Sequence, residues 1–173
     1  LSNKCLELIE AHYLFDISYD KLNILIHPEA KIHSIIEYQN YIYNMILFQN
    51  DMAIPIYHYL NQNFQNELKS NKFSITKNDN YNFSTVKVNQ FPIYKFFKNI
   101  DKNKPENLIK FNVANEYGVN LFKKNLINYT DIYNIIVKIS SLNLNSKLNT
   151  IKDIIKYHEL LEIKINEKKI YIN

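Results

Sequence analysis

The sequence has no arginine and no tryptophan, a single glycine (Gly118) and a single cysteine (Cys5). Each shortage excludes something. One glycine cannot build a glycine-rich dinucleotide loop or a P-loop, whose turns need several residues free of a Cβ. One cysteine rules out an internal disulfide framework and a cysteine-based zinc site, and it fits a reducing compartment. No Gly-x-Ser-x-Gly elbow occurs, and Cys5 has no cysteine–histidine catalytic signature beside it. The positive residues are all lysine, the formal net charge is +4, and lysines such as Lys69, Lys72, Lys77 and Lys87 are scattered. A nucleic-acid footprint needs clustered charge, so no nucleic-acid partner is expected. No apolar run reaches the roughly 18 residues of a membrane span, and the chain does not open on a basic segment followed by an apolar one. A soluble protein without a membrane partner is expected.

The 173 residues are 46% hydrophobic and 22% charged, a globular composition long enough for one ordinary domain or two small ones. Asparagine, isoleucine, lysine and tyrosine are over-used in the manner of AT-rich codon choice, so a single asparagine or lysine carries less information than usual.

From Asn3 to about Phe15 the apolar residues Leu6, Ile9 and Tyr13, with Leu14 beside them, form a helical stripe. A turn follows at Asp16 to Asp20. "LNILIHP" reads as a short buried strand ending before Pro28, and "IHSIIEYQ" and "YNMILFQ" as two more strands. Three strands in quick succession predict a sheet with the opening helix packed across it. "PIYHYLNQNF" turns to helical spacing, and residues 62–82 read as a long loop with short strand pieces. After "QFP" the character changes. Segments 92–102, 106–124, 130–141 and 147–164 carry helical periodicity, with Pro105 near the start of the second and Thr130 and Asp131 as caps for the third. The expectation is an α+β fold: residues 1–90 a helix on a small sheet, residues 91–173 an all-α helical bundle.

Asn3, Glu7 and Glu10 line one side of the opening helix, because three and four residues are each close to one turn. Lys4 lies next to them. One reading is a solvated stripe, with Asn3 as N-cap and a Lys4–Glu7 pair worth about 0.2–0.5 kcal/mol. The other makes Glu7 a hard oxygen ligand for a divalent ion, with Asn3 and Lys4 as donors to an anionic substrate. Spacing alone does not choose. His27 and His33 in "HPEAKIHS" are six apart, not the four of a helical zinc pair. His12, His27 and His58 read as structural.

Taken in order, these segments resemble the later part of the 1-deoxy-D-xylulose 5-phosphate reductoisomerase family. "NKCLELIEAHYLF" matches Asn-Lys-Gly-Leu-Glu-x-Ile-Glu-Ala-His-x-Leu-Phe, with Cys5 in the place of glycine. "HPEAKIHS" is similar to His-Pro-Gln-Ser-x-Ile-His-Ser, with Glu29 and Ala30 replacing Gln and Ser. "NDMAIPI" keeps Asp51, Met52, Pro55 and Ile56 of Pro-Asp-Met-Arg-x-Pro-Ile, while Asn50 and Ala53 replace Pro and Arg. "FPIYK", "FNVANE" and "YTDI" continue the resemblance to the far end of the chain.

The resemblance implies an NADPH-dependent enzyme that rearranges a linear keto-sugar phosphate and reduces it to 2-C-methyl-D-erythritol 4-phosphate with Mg²⁺ or Mn²⁺. It implies that Glu7 is a metal ligand with Glu10 close by, and that Asn3 and Lys4 hold the substrate. Met52 would line the pocket, and His33 would support the active site. It also implies that the NADPH-binding domain, further metal carboxylates and a covering loop lie upstream of Leu1. The fragment alone is therefore expected to be inactive. A homodimer formed through an exposed strand among residues 22–48 is implied, in a bacterial cytoplasm or alternatively a plastid or apicoplast stroma. A non-catalytic assembly domain is the rival, favoured by the departures at Cys5, Ala30, Asn50 and Ala53. A generic metal module built on His27 and His33 is a weaker one.

Overall fold

The computed structural model describes residues 1–61, 81–144, 147–168 and 170. In chain order the regular elements are α1 (Ser2–Phe15), β1 (Leu25–Ile26), β2 (Ile32–Glu37), β3 (Tyr43–Leu47), α2 (Ala53–Leu60) and β4 (Ser84–Thr85). They continue with α3 (Pro92–Asn99), α4 (Pro105–Lys123), α5 (Asp131–Ser140) and α6 (Ile151–Glu167). Most of the loop expected at residues 62–82 lies outside the described residues. The α+β class expected from the sequence is what the elements form.

Two compact units result, one of Leu1–Asn23 with Lys87–Asn173 and one of Ile24–Val86. The sequence reading divided the chain once, near residue 90, and put the opening helix with the strands. In the structure α1 packs instead against α3 and α4 within the helical unit. The buried anchor of α1 is Cys5, its one fully buried residue, which lies near Tyr94 and Lys102. The stripe expected to be buried is not the packed one, since Tyr13 and Leu14 are 59% and 73% exposed.

The helical unit is organised around α4. Its start is where the sequence puts it, with Pro105 in the first turn, where a missing N–H costs nothing. Phe111 and Phe97 set their rings 5.3 Å apart, and Ile135, Ile136 and Ile139 of α5 and Leu161 and Ile165 of α6 complete a core of fully buried side chains. Gly118, on α4, lets α5 come close: a Cβ there would stand 3.1 Å from the Ile132 Cγ2. The helix at 147–164 begins later than its periodicity suggests. Thr150 and Asp153 form a capping box, the Asp153 N–H donating to Thr150 Oγ1 at 3.2 Å and the Thr150 N–H to Asp153 Oδ2 at 2.9 Å. That reciprocal pair satisfies two amides at the helix start and fixes it there. Thr130 occupies the N-cap of α5 but makes no side-chain cap bond. Asp131 Oδ2 accepts instead from the Asn128 N–H at 2.9 Å.

The second unit corrects the expected three-stranded sheet. Among the described residues it forms two antiparallel ribbons, β1 with β4 and β2 with β3. After β1 the chain turns at His27–Ala30, where Ala30 adopts φ 51° and its N–H donates to the His27 carbonyl at 3.0 Å. The turn leads the chain away from β1, and the edge of β1 is taken by β4. The β2–β3 hairpin closes through Tyr38–Ile42, with Tyr41 at φ 59°. Its register shifts between Ile32 and Ser34, so His33 sits at a bulge.

Replacing Gly118 by leucine should drive four carbons into Ile132 and lower stability by about 1–3 kcal/mol, the usual cost of overpacking. Thermal unfolding followed by circular dichroism would check this; an unchanged midpoint would mean that α4 and α5 are not in close contact at this position.

Candidate functional site

The polar face of α1 forms a closed set of contacts. Asn3 Nδ2 donates to Glu7 Oε1 at 2.7 Å, and Lys4 Nζ donates to Glu7 Oε2 at 2.6 Å. Both oxygens of one carboxylate are thus held by neighbours three and four residues back, an arrangement that only helical spacing gives. The pair is open to solvent, with the Lys4 and Glu7 side chains 49% and 43% exposed. Leu1, not Asn3, occupies the N-cap, and it makes no side-chain cap bond. Asn3 is therefore inside the helix and turned toward Glu7, not toward the free amides at the helix start. Glu10 lies exposed one turn further on.

The helix is held from behind by Cys5. Burial pushes the thiol up to about 12, and the nearby Lys102 ammonium opposes this only in part. A thiol in that state is not a nucleophile.

His33 and Met52 belong to the other unit. The His33 ring stacks on Phe48, centroids 3.7 Å apart and planes 9° from parallel, with Nε2 3.3 Å from the Phe48 carbonyl. With Nε2 protonated, that nitrogen donates to the carbonyl and Nδ1 is left as the acceptor. The bulge turns this ring out of the regular alternation of β2, as bulges do. Met52 is 65% exposed at the N-cap of α2, where Asp51 Oδ1 accepts from the Ala53 N–H at 2.9 Å.

The structure also assembles a cluster that the sequence reading passed over. The His27 side chain is 6% exposed and stacks on Phe83 at 4.8 Å. Its Nδ1 lies 2.9 Å from the Asn82 carbonyl and 3.0 Å from Glu29 Oε2. Glu29 in turn accepts from Asn82 Nδ2 at 2.6 Å. The one signal in the sequence was Glu29, standing where the family pattern has Gln. His12 stacks on Tyr19 at 4.2 Å with Nδ1 2.7 Å from the Ile17 carbonyl, a packing role.

Among the described residues no three His, Cys, Asp or Glu side chains converge as a metal centre. The carboxylate of Glu7 is the right donor for a hard divalent ion, but as one ligand of a set and not as a set. The single glycine is used between helices, so these residues form no glycine-rich dinucleotide loop. No helix among the described residues is long and apolar enough to cross a membrane.

Comparison with known proteins shows the family of the chain. Residues 47–162 match the model of the DXP reductoisomerase C-terminal domain. This chain belongs to the DXP reductoisomerase family. Among the family's members, the 1-deoxy-D-xylulose 5-phosphate reductoisomerase of Sulfurihydrogenibium sp. is 35% identical over 89% of this chain and 41% of its own length. The protein of the same name from the Wolbachia of Drosophila simulans is 33% identical over 95% and 45%. The solved reductoisomerase of Zymomonas mobilis in complex with NADPH superposes with a TM-score of 0.81 at 28% identity, covering 99% of this chain and 45% of that one. A reductoisomerase structure with NADPH, fosmidomycin and magnesium gives 0.72 at 26% identity. The chain thus spans less than half the length of the reductoisomerases it matches. α1 precedes the segment matched by the family model, so its likeness to the family rests on these longer alignments.

The Cys5 thiol should not react with a thiol-specific dye near pH 8 until the chain is denatured. Because the folded value lies above the ordinary 9.0, stability should fall as pH rises from 9.0 toward about 12. Rapid labelling of the native chain would remove Cys5 from the core.

Proposed function

We propose that this chain is the later part of an NADPH-dependent, divalent-metal-dependent reductoisomerase that converts 1-deoxy-D-xylulose 5-phosphate to 2-C-methyl-D-erythritol 4-phosphate for isoprenoid synthesis. The observation that carries the reading is the exposed Asn3–Lys4–Glu7 set on α1, in a chain of this family.

In this reading Glu7 supplies one hard oxygen ligand to a Mg²⁺ or Mn²⁺ ion whose other ligands come from outside the described residues. When bound, that ion polarises the substrate carbonyl and orients its oxygens. The chain's own residues do the positioning. Asn3 fixes one oxygen of the Glu7 carboxylate and so its plane, and Lys4 balances its charge. The Lys4 ammonium keeps two further N–H donors, which suit a hydroxyl or phosphate oxygen of a sugar phosphate. Glu10, one turn away, acts as a partner to the ion's hydration shell. His33, oriented by the Phe48 carbonyl and ring, supports the site rather than moving the reacting proton. Met52 presents an apolar wall. The NADPH site belongs to a part of the protein outside these residues, and the bacterial cytoplasm is the compartment that suits the relatives compared above.

Glu7→Gln in the intact enzyme should cut metal-dependent NADPH oxidation by about a thousand-fold or more, the loss typical of a disrupted transition-state contact. The 173-residue chain alone should show none. Turnover like that of the unaltered enzyme would end the assignment of Glu7.

The same reading includes a homodimer. The β2–β3 ribbon exposes Ile36, Ile42, Tyr43, Met45 and Ile46, each about half or more, and exposed apolar residues on strands make a pairing surface. Sedimentation should give a dimer that Ile46→Asp converts to monomer. A monomeric parent protein would count against it.

A further inference from the structure

The helical unit holds a cavity that no residue of the proposed active site touches. It is an open cleft of about 590 Å³ at the start of α4, and the described residues that line it include Lys104, Lys110, Lys147, Glu106, Asn107 and Asn143. Openings of this volume lie in the range of small-molecule sites, roughly 300–1,000 Å³. The charge on its wall is unbalanced: three lysines face it and one carboxylate.

Lys110 is the unusual member. It is the one buried charged residue of the described core, at 8% exposure. Among the described residues its Nζ has one acceptor, the Ser140 carbonyl at the end of α5, at 3.4 Å. That length is beyond the usual 2.7–3.2 Å of an N–H···O bond. Among the described residues Lys110 makes no ion pair, although Glu106 is one turn before it and raises its basicity against the stronger effect of burial. A sequestered ammonium is costly unless its protons and charge are met. Among the described residues one of its N–H groups is poorly met and two have no acceptor. Neither do the other cations cancel. Lys104 reaches Asp101 only at 3.7 Å, across an exposed surface, and Lys164 approaches the rim by donating to the Asn143 carbonyl at 2.8 Å. The positive end of α4 opens on the same space, with no side chain capping it.

We propose that this cavity binds a dianionic phosphate, free or as an organic monoester, between Lys110 at its floor and Lys104 and Lys147 at its mouth. Two excess positive charges match such an anion, and the space beyond one phosphate group leaves room for a small organic substituent. Ser140 continues to take one proton of Lys110, and the anion takes the other two. The site is separate from α1, so its failure leaves the reading of Glu7 untouched, and failure of that reading leaves this site untouched.

The test is calorimetric titration of the whole chain with inorganic phosphate in a buffer of constant ionic strength, with chloride as control. Saturable binding with one site is expected, and chloride should give none. Lys147→Gln and Lys104→Gln, both at exposed side chains, should each weaken it about five- to ten-fold, the loss of one charged contact. Glu106→Gln should tighten it, a direction that no loss of folding would produce. Lys110→Met should abolish it, with circular dichroism to check that the helices remain. Binding that is absent, that chloride reproduces, or that the Lys147 and Lys104 variants leave unchanged would overturn the proposal. A glycerol phosphate titration then separates the two sources: tighter binding than inorganic phosphate supports an organic monoester, equal or weaker binding the free ion.

Discussion

The burial of Cys5 is what aims the polar face of α1. Residues two apart on a helix point about 200° away from each other, so a helix that puts residue 5 against the core must turn residues 3 and 7 outward. Asn3 and Glu7 then meet on the open side, with Lys4 close enough to close the set. The thiol itself has no chemistry to contribute. Its part is to fill the buried side of α1, which packs on α3 and α4.

Shape governs the interior more than polar satisfaction does. Tyr157 is 1% exposed on α6, and among the described residues its hydroxyl has no partner. Burial pushes that hydroxyl up to about 12 and keeps it protonated. An unmet hydroxyl costs roughly 1–3 kcal/mol. Burying 150–250 Å² of aromatic side chain returns about 4–6 kcal/mol at 25 cal/mol per Å². The ring therefore stays in, and the same balance explains why Lys110 keeps its carbon stem in the core while its ammonium reaches for Ser140.

Local pattern made the helices legible and left their partners illegible. The periodicity of 130–141 and the proline before 106 locate α5 and α4 because amphipathic spacing and helix starts are local matters. The Glu7 cluster was legible as two open readings, since spacing shows that residues share a face and not what faces them. The pairing of β1 with β4 was not legible at all. Leu25 meets Thr85 across a span of chain longer than either ribbon, through strands of two residues each, too short for alternation to show. The affiliation of α1 was missed for a related reason. Tyr13 and Leu14 look more like core than a lone cysteine does, yet packing depends on what lies opposite, and opposite Cys5 lie α3 and α4.

Glu29 shows how a departure from the family pattern can be read as physics. It accepts from Asn82 Nδ2 at 2.6 Å and from the Asn82 N–H at 3.4 Å, and its Oε2 lies 3.0 Å from His27 Nδ1. Two Asn82 donors converge on one side chain, and with Nδ1 protonated His27 adds a third that it shares with the Asn82 carbonyl; a carboxylate offers only acceptors. A glutamine in this place would turn a donor toward one of them. The donation from Asn82, ahead of any charge nearby, holds the Glu29 carboxyl below its ordinary range. The bonds span from the turn after β1 to the residue just before Phe83 and β4, so they tie the two strands at one end of the ribbon that local pattern could not predict. A ribbon of two residues per strand has too few ladder bonds to fix its own register. The side chains of His27, Glu29 and Asn82 fix it from the end, and a change of one atom type at position 29 is what suits them to do so.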